Sequence, residues 1–140
     1  MAATKILVIE DDLHQREIIE RALTQDAARR QLQVEVIQAS DGEEGVELFR
    51  RHNPALVITD LLMPKVDGFQ AIEQIRADPT GKSCPIVVTT AVYRDPVILG
   101  KLQEQYGVHI QPKPFMPQAL AKKVFQILKT KTLLPSQSRF

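Results

Sequence analysis

Five short runs rich in apolar and β-branched residues recur along the chain, each followed by a segment of helical periodicity. They are residues 5–10 (KILVIE), 34–39 (VEVIQA), 55–60 (ALVITD), 85–91 (PIVVTTA) and 108–112 (VHIQP). Most are apolar nearly throughout rather than at alternate positions, the mark of strands covered on both faces. Strands that alternate with helices pair in parallel, because a parallel crossover needs room for a helix. With right-handed crossovers the expected fold is α/β, a doubly wound parallel sheet of five strands. A length of 140 residues suits one domain around one core.

The intervening segments carry helix signals. Asp12 with Gln15 caps a helix over 13–27 that has Ile18, Ile19, Ala22 and Leu23 on one face. Ser40 with Glu43 opens a second, anchored by Val46, Leu48 and Phe49. A third covers 67–77, with Phe69, Ile72 and Ile75 in one stripe. Asp95 followed by Pro96 starts a fourth, and Gly107 ends it. The last spans 117–129 and turns Leu120, Val124, Ile127 and Leu128 inward. The domain is therefore expected over residues 1–131, with 132–140 a short C-terminal tail.

Composition excludes several function classes. Eighteen Lys and Arg against 17 Asp and Glu leave a net charge of +1, so the overall charge does not point to nucleic acid or a membrane surface. Cys84 is the only cysteine, which rules out an internal disulfide framework and any CxxC site. His14, His52 and His109 share no ligand spacing. No apolar run reaches membrane-spanning length and no signal-peptide core follows the first residues, so the expected location is the cytoplasm.

In a doubly wound sheet the ligand site lies outside the carboxyl ends of the strands. Strand 1 ends in Glu10, Asp11 and Asp12, strand 3 in Asp60 and strand 4 in Thr89 and Thr90, while strand 5 runs into Lys113. Carboxylates from strands 1 and 3 brought to about 4 Å repel by roughly 4 kcal/mol at an effective dielectric of about 20. A hard divalent cation held by oxygen ligands relieves that repulsion, and Mg²⁺ suits such a site. Lys113 adds a fixed positive charge and Thr90 a hydroxyl. A carboxylate flanked by Mg²⁺ and lysine is equipped to act as a nucleophile toward phosphorus. Asp60 is the residue so placed.

The segments KILVIEDD, LVITDLLMPKVDGF, PIVVTTA and KPF, in this order and spacing, resemble the receiver domain of two-component response regulators over roughly residues 5–129. That resemblance implies a flavodoxin-like sheet of strand order 2-1-3-4-5. It implies that Asp60 accepts a phosphoryl group from a sensor histidine kinase or phosphotransfer protein. Glu10, Asp11, Asp60 and the backbone carbonyl of Leu62 would then hold Mg²⁺. Thr90 would move toward the phosphate, and Lys113, before a cis Pro114, would pair with it. Asp12 remains a helix cap.

No DNA-binding or catalytic module follows the last helix, so the expected output is a contact with a downstream protein. A homodimer through the helix 4–strand 5–helix 5 face is one form of it. The domain is expected to signal rather than to be an enzyme. Leu62 and Val92, two residues beyond Asp60 and Thr90, are apolar and cannot orient water, so self-dephosphorylation should be slow. The pattern departs at Ile110, where the family carries an aromatic residue whose rotamer follows the threonine. An altered helix 4–strand 5–helix 5 face is therefore expected.

Three rival readings exist. A phosphorylation-independent scaffold draws support from Ile110, against the intact acidic pair and Lys113. A haloacid-dehalogenase-like phosphatase needs an acid two residues after the nucleophile, where this chain has Leu62. An FMN carrier needs a phosphate cradle after strand 1, where this chain has EDDLHQ.

Overall fold

A computed structural model describes residues 3–61, 67–90 and 96–137, with side chains through residue 130. Within it, strands β1 (Thr4–Ile9), β2 (Val34–Ala39), β3 (Leu56–Asp60), β4 (Ile86–Thr90) and β5 (His109–Pro112) pair in parallel. Their order across the sheet is β2-β1-β3-β4-β5, the doubly wound, flavodoxin-like arrangement. The strand carrying Asp60 is thus central.

Successive residues of one strand serve opposite faces of the sheet. Ile6, Val8, Leu56, Ile58 and Val87 pack under α1 (Leu13–Arg29) and α5 (Pro117–Gln137), against Ile19, Leu23, Leu120 and Val124. Leu7, Ile9, Val57 and Val88 pack on the other side under α2 (Gly42–His52), α3 (Gly68–Ala77) and α4 (Pro96–Tyr106), against Val46, Phe49, Ile72 and Leu102. Each such side chain, once fully buried, contributes about 1.5–3 kcal/mol relative to exposure. Strands covered on both faces leave their carboxyl ends as the place where polar groups from neighbouring strands meet.

Helix starts follow local chemistry. Asp12 accepts from the His14 and Gln15 backbone N–H groups, as expected of a cap. In α3, Asp67 and Gln70 form a reciprocal capping box. The cap of α2 is Asp41, not Ser40: its Oδ1 accepts from Glu44 N at 2.8 Å. Glu44 Oε1 reaches back to Ser40 N at 2.6 Å. The signal was shifted by one residue because Gly42 already lies in the helix. Gly107 terminates α4 in the left-handed region at φ 63°, where a side chain would be strained.

The final helix runs to Gln137 rather than stopping at Lys129. Residues 132–137 are therefore helical. Once a helix exists, each added residue of the KTKTLL tract brings one hydrogen bond, and the helix continues past Pro135, which donates none. A 3-10 turn at Pro79–Gly81, with no counterpart in the sequence reading, connects α3 toward β4. No helix among the described residues is long and apolar enough to cross a membrane.

Candidate functional site

The carboxyl ends of β1, β3 and β5 converge on one cleft of about 610 Å³, lined among others by Glu10, Asp11, Asp60, Lys113 and Phe115. Asp60 is the last residue of β3 and the one position of that strand that is not buried. Its Oδ1 accepts the Leu61 N–H at 2.7 Å. Its Oδ2 accepts from Lys113 Nζ at 3.0 Å. The same ammonium donates to Glu10 Oε1, also at 3.0 Å. One lysine from β5's end thus bridges carboxylates from two other strands, 103 and 53 residues away in sequence.

Glu10 is 3 % exposed. Its second oxygen accepts the Asp12 N–H at 3.1 Å, so the turn that caps α1 also fixes the acid. Burial, and then the hydrogen bond shared with Asp11, push the Glu10 carboxyl above its ordinary value. The Asp12 N–H and Lys113 act against them. For Lys113 burial works to lower the ammonium, but the hydrogen bonds and charges of Glu10 and Asp60 prevail and hold it above its ordinary value. The buried acid is thus crowded by burial and by Asp11, while the lysine stays charged.

Carboxylate oxygens of Glu10, Asp11 and Asp60 all lie within 4.8 Å of one another. Like charges at that spacing repel by roughly 3–4 kcal/mol per pair at an effective dielectric of about 20. The donors are all hard oxygens, one buried, one intermediate and one exposed, a set that fits a partly hydrated Mg²⁺ better than a soft or imidazole-seeking metal.

The other predicted positions fall as follows. Thr90 ends β4 at 2 % exposure. Its backbone carbonyl accepts the Lys113 N–H at 2.8 Å, joining the lysine's own backbone to the neighbouring strand. The Lys113–Pro114 peptide is cis. Ile110 is partly buried against the core on the α2–α3–α4 side, and its carbonyl accepts from Lys123 Nζ at 2.9 Å. Leu62 and Val92 lie outside the described residues, as does Asp95.

Two residues near the site carry roles that the sequence reading did not assign. A methyl group added at Gly68 would overlap the Asp60 carbonyl oxygen and stand 2.6 Å from Leu61 Cα. The start of α3 therefore packs on the backbone of Asp60 itself, and Gly68 N–H donates to Leu61 O at 2.9 Å. The adjacent DG pair had signalled only a turn. Arg16 donates to the Glu10 carbonyl at 2.7 Å and to Gln38 at 3.0 Å, tying α1 to the ends of β1 and β2.

The response regulator receiver domain family matches residues 6–125. "Probable transcriptional regulator ycf27" of Porphyridium aerugineum is 33% identical over 129 residues, which cover 92% of this chain and 50% of that relative. The chain spans about half the length of the curated relatives of this kind that it matches. Among solved structures, chemotaxis protein CheY4 of Vibrio cholerae superposes with a TM-score of 0.76 at 25% identity, covering 89% of this chain and 98% of the other. The receiver domain of a Pseudomonas aeruginosa sensor histidine kinase, which holds a magnesium ion in its active site cleft, superposes with a TM-score of 0.70 at 26% identity. That match covers 92% of this chain and 97% of the other.

Proposed function

This chain belongs to the response regulator receiver domain family of two-component systems, and on that premise we propose that it is a switch in which Asp60 accepts a phosphoryl group. The observation that carries the reading is Lys113 Nζ at 3.0 Å from both Asp60 and Glu10, with Asp11 in the same oxygen cluster. A strand-end acid held this way is oriented and reachable from the cleft.

The donor is the phosphohistidine of a sensor histidine kinase or phosphotransfer protein. A carboxylate oxygen of Asp60 attacks phosphorus, the phosphorus–nitrogen bond breaks, and its electron pair leaves with the imidazole. Lys113 then follows the charge from the carboxylate to a phosphoryl oxygen. Glu10, Asp11 and Asp60, with the Leu62 backbone carbonyl, would hold Mg²⁺. The ion would supply positive charge against the crowded carboxylates and the incoming phosphoryl group. The magnesium in the cleft of the Pseudomonas aeruginosa receiver supports this assignment.

Thr90 supplies the hydroxyl that turns toward the phosphoryl group. Its strand lies beside β5, so a shift there reaches Ile110 and the α4–β5–α5 face, through which a downstream protein or a second copy is contacted. The aliphatic Ile110 transmits the shift by packing rather than by an aromatic rotamer. Apolar Leu62 and Val92 leave the acyl phosphate slow to hydrolyse.

Localisation of the modification tests the reading. The protein is incubated with acetyl phosphate and Mg²⁺, reduced with borohydride to trap the acyl phosphate, and mapped by peptide mass spectrometry. The expected result is homoserine at position 60 alone. Trapping at Asp11 or Glu10 instead would contradict it.

A further inference from the structure

At the opposite end of the sheet, where β4 and β5 begin, a second cavity of about 490 Å³ lies between the ends of α3 and α4 and the outer half of α5. Four basic side chains line it, Arg76, Lys82, His109 and Lys123, and no Asp or Glu does. Among the described residues none of the four is in an ion pair with a carboxylate. In a chain whose charges nearly cancel, that is a local excess of one sign.

Part of the cluster has a structural explanation. Arg76 donates to the carbonyls of Tyr106, Gly81 and Cys84 at 2.7, 2.7 and 2.6 Å, where the carboxyl end of α4 meets the loop before β4. Those carbonyl dipoles offset some of its charge. They occupy Nε and Nη1 and leave Nη2 without a hydrogen bond to a described residue. Lys123 places one donor on the Ile110 carbonyl, and an ammonium has three. Neither role accounts for Lys82 and His109 at the same opening. The imidazole of His109 already registers the excess: burial, then the charges of Lys123 and Arg76, hold it below its ordinary value. Tyr106 and Ile127 add an aromatic and an aliphatic wall.

Cationic donors and apolar walls in one opening, of a volume within the usual range for small-molecule sites, suit a ligand with an anionic head and a flat or apolar body. We propose that this cavity binds a small phosphate monoester of mononucleotide size, independently of the chemistry at Asp60. Arg76 and Lys123 meet the phosphate, Lys82 closes over it, and Tyr106 and Ile127 receive the body.

Adenosine monophosphate, adenosine and inorganic phosphate serve as probes, titrated without Mg²⁺ into the full chain. The backbone amides and the His109 imidazole are followed by NMR. The expected result is a saturable shift of amides at the start of β5 with AMP, together with a rise of the His109 pKa as the anion cancels its cationic neighbours. Lys82→Ala with Lys123→Gln should weaken AMP at least about tenfold, roughly the worth of one charge-assisted hydrogen bond. Lys82→Glu, at an exposed position, should weaken it in the same direction. Three results would each overturn the proposal: no change at His109 with AMP, equal binding of adenosine, or shifts confined to the Asp60 cleft. Inorganic phosphate binding as tightly as AMP would overturn the assignment of a monoester.

Discussion

Lys113 holds two carboxylates with one ammonium, and its removal separates their contributions. Because its folded-state value is raised above 10.5, the stability it brings is fully present below that pH and is lost as pH rises through the folded value. Wild type should therefore lose stability above pH 10.5 more steeply than Lys113→Met, in urea titrations repeated across alkaline pH. At neutral pH the variant leaves Glu10 buried beside Asp11 with no cation, a cost of about 1–3 kcal/mol. Glu10 is itself raised above 4.5, so its carboxylate weighs most against the fold above its folded value. The variant should recover stability as pH falls toward 4.5; a deficit unchanged by acid would contradict this account of Glu10. At this scale a single strand-end aspartate is more often a cap, as Asp12 is, so the acids and the lysine were legible only jointly, through their placement at the ends of several strands. Gly68 and Arg16 were not, because one acts by lacking a side chain and the other through a backbone carbonyl. Neither leaves a chemical signature until the chain is folded.

Helix α3 couples two neighbouring residues to different outcomes. Asp67→Ala removes one cap and should cost about 1 kcal/mol in urea unfolding, with the rate of phosphorylation at Asp60 unchanged. Gly68→Ala forces a methyl into the Asp60 carbonyl and should cost about 1–3 kcal/mol. It should also slow phosphorylation, because the strand end carrying the nucleophile must move. Equal phosphorylation rates in the two variants would show that α3 does not position Asp60. For the central strands β1, β3 and β4 burial on both faces demands a continuous apolar run, while the partly exposed edge strands β2 and β5 carry β-branched residues between polar flanks. The strands were therefore readable to within a residue at each end. The cap of α2 and the length of α5 were not: Ser40 and Asp41 are both capping residues, and only the backbone conformation chooses between them. The end of α5 was not readable because the helix continues past Pro135, a residue that ordinarily interrupts one.

Across the molecule, one sheet gathers residues 10, 60 and 113 into a site that no single element contains. Mg²⁺ bound there should stabilise the whole fold, by about 2.7 kcal/mol at a concentration a hundredfold above Kd. Thermal unfolding should rise with Mg²⁺ in wild type and much less in Asp11→Asn. An identical rise in both would place the ion elsewhere. The doubly wound parallel sheet was legible because apolar strands alternating with helices leave few topologies; the order of its strands followed only from the resemblance to receiver domains. Contacts at the far end of the sheet, where Arg76 joins three carbonyls, depend on loop geometry that periodicity does not encode. The central claim is aspartyl-phosphate chemistry at Asp60, and intact mass after incubation with phosphoramidate tests it most directly. The account predicts the mass of one added phosphoryl group, only with Mg²⁺ present and only in wild type, not in Asp60→Asn. An adduct that forms equally in Asp60→Asn, or no adduct in a folded protein that binds Mg²⁺, would contradict it.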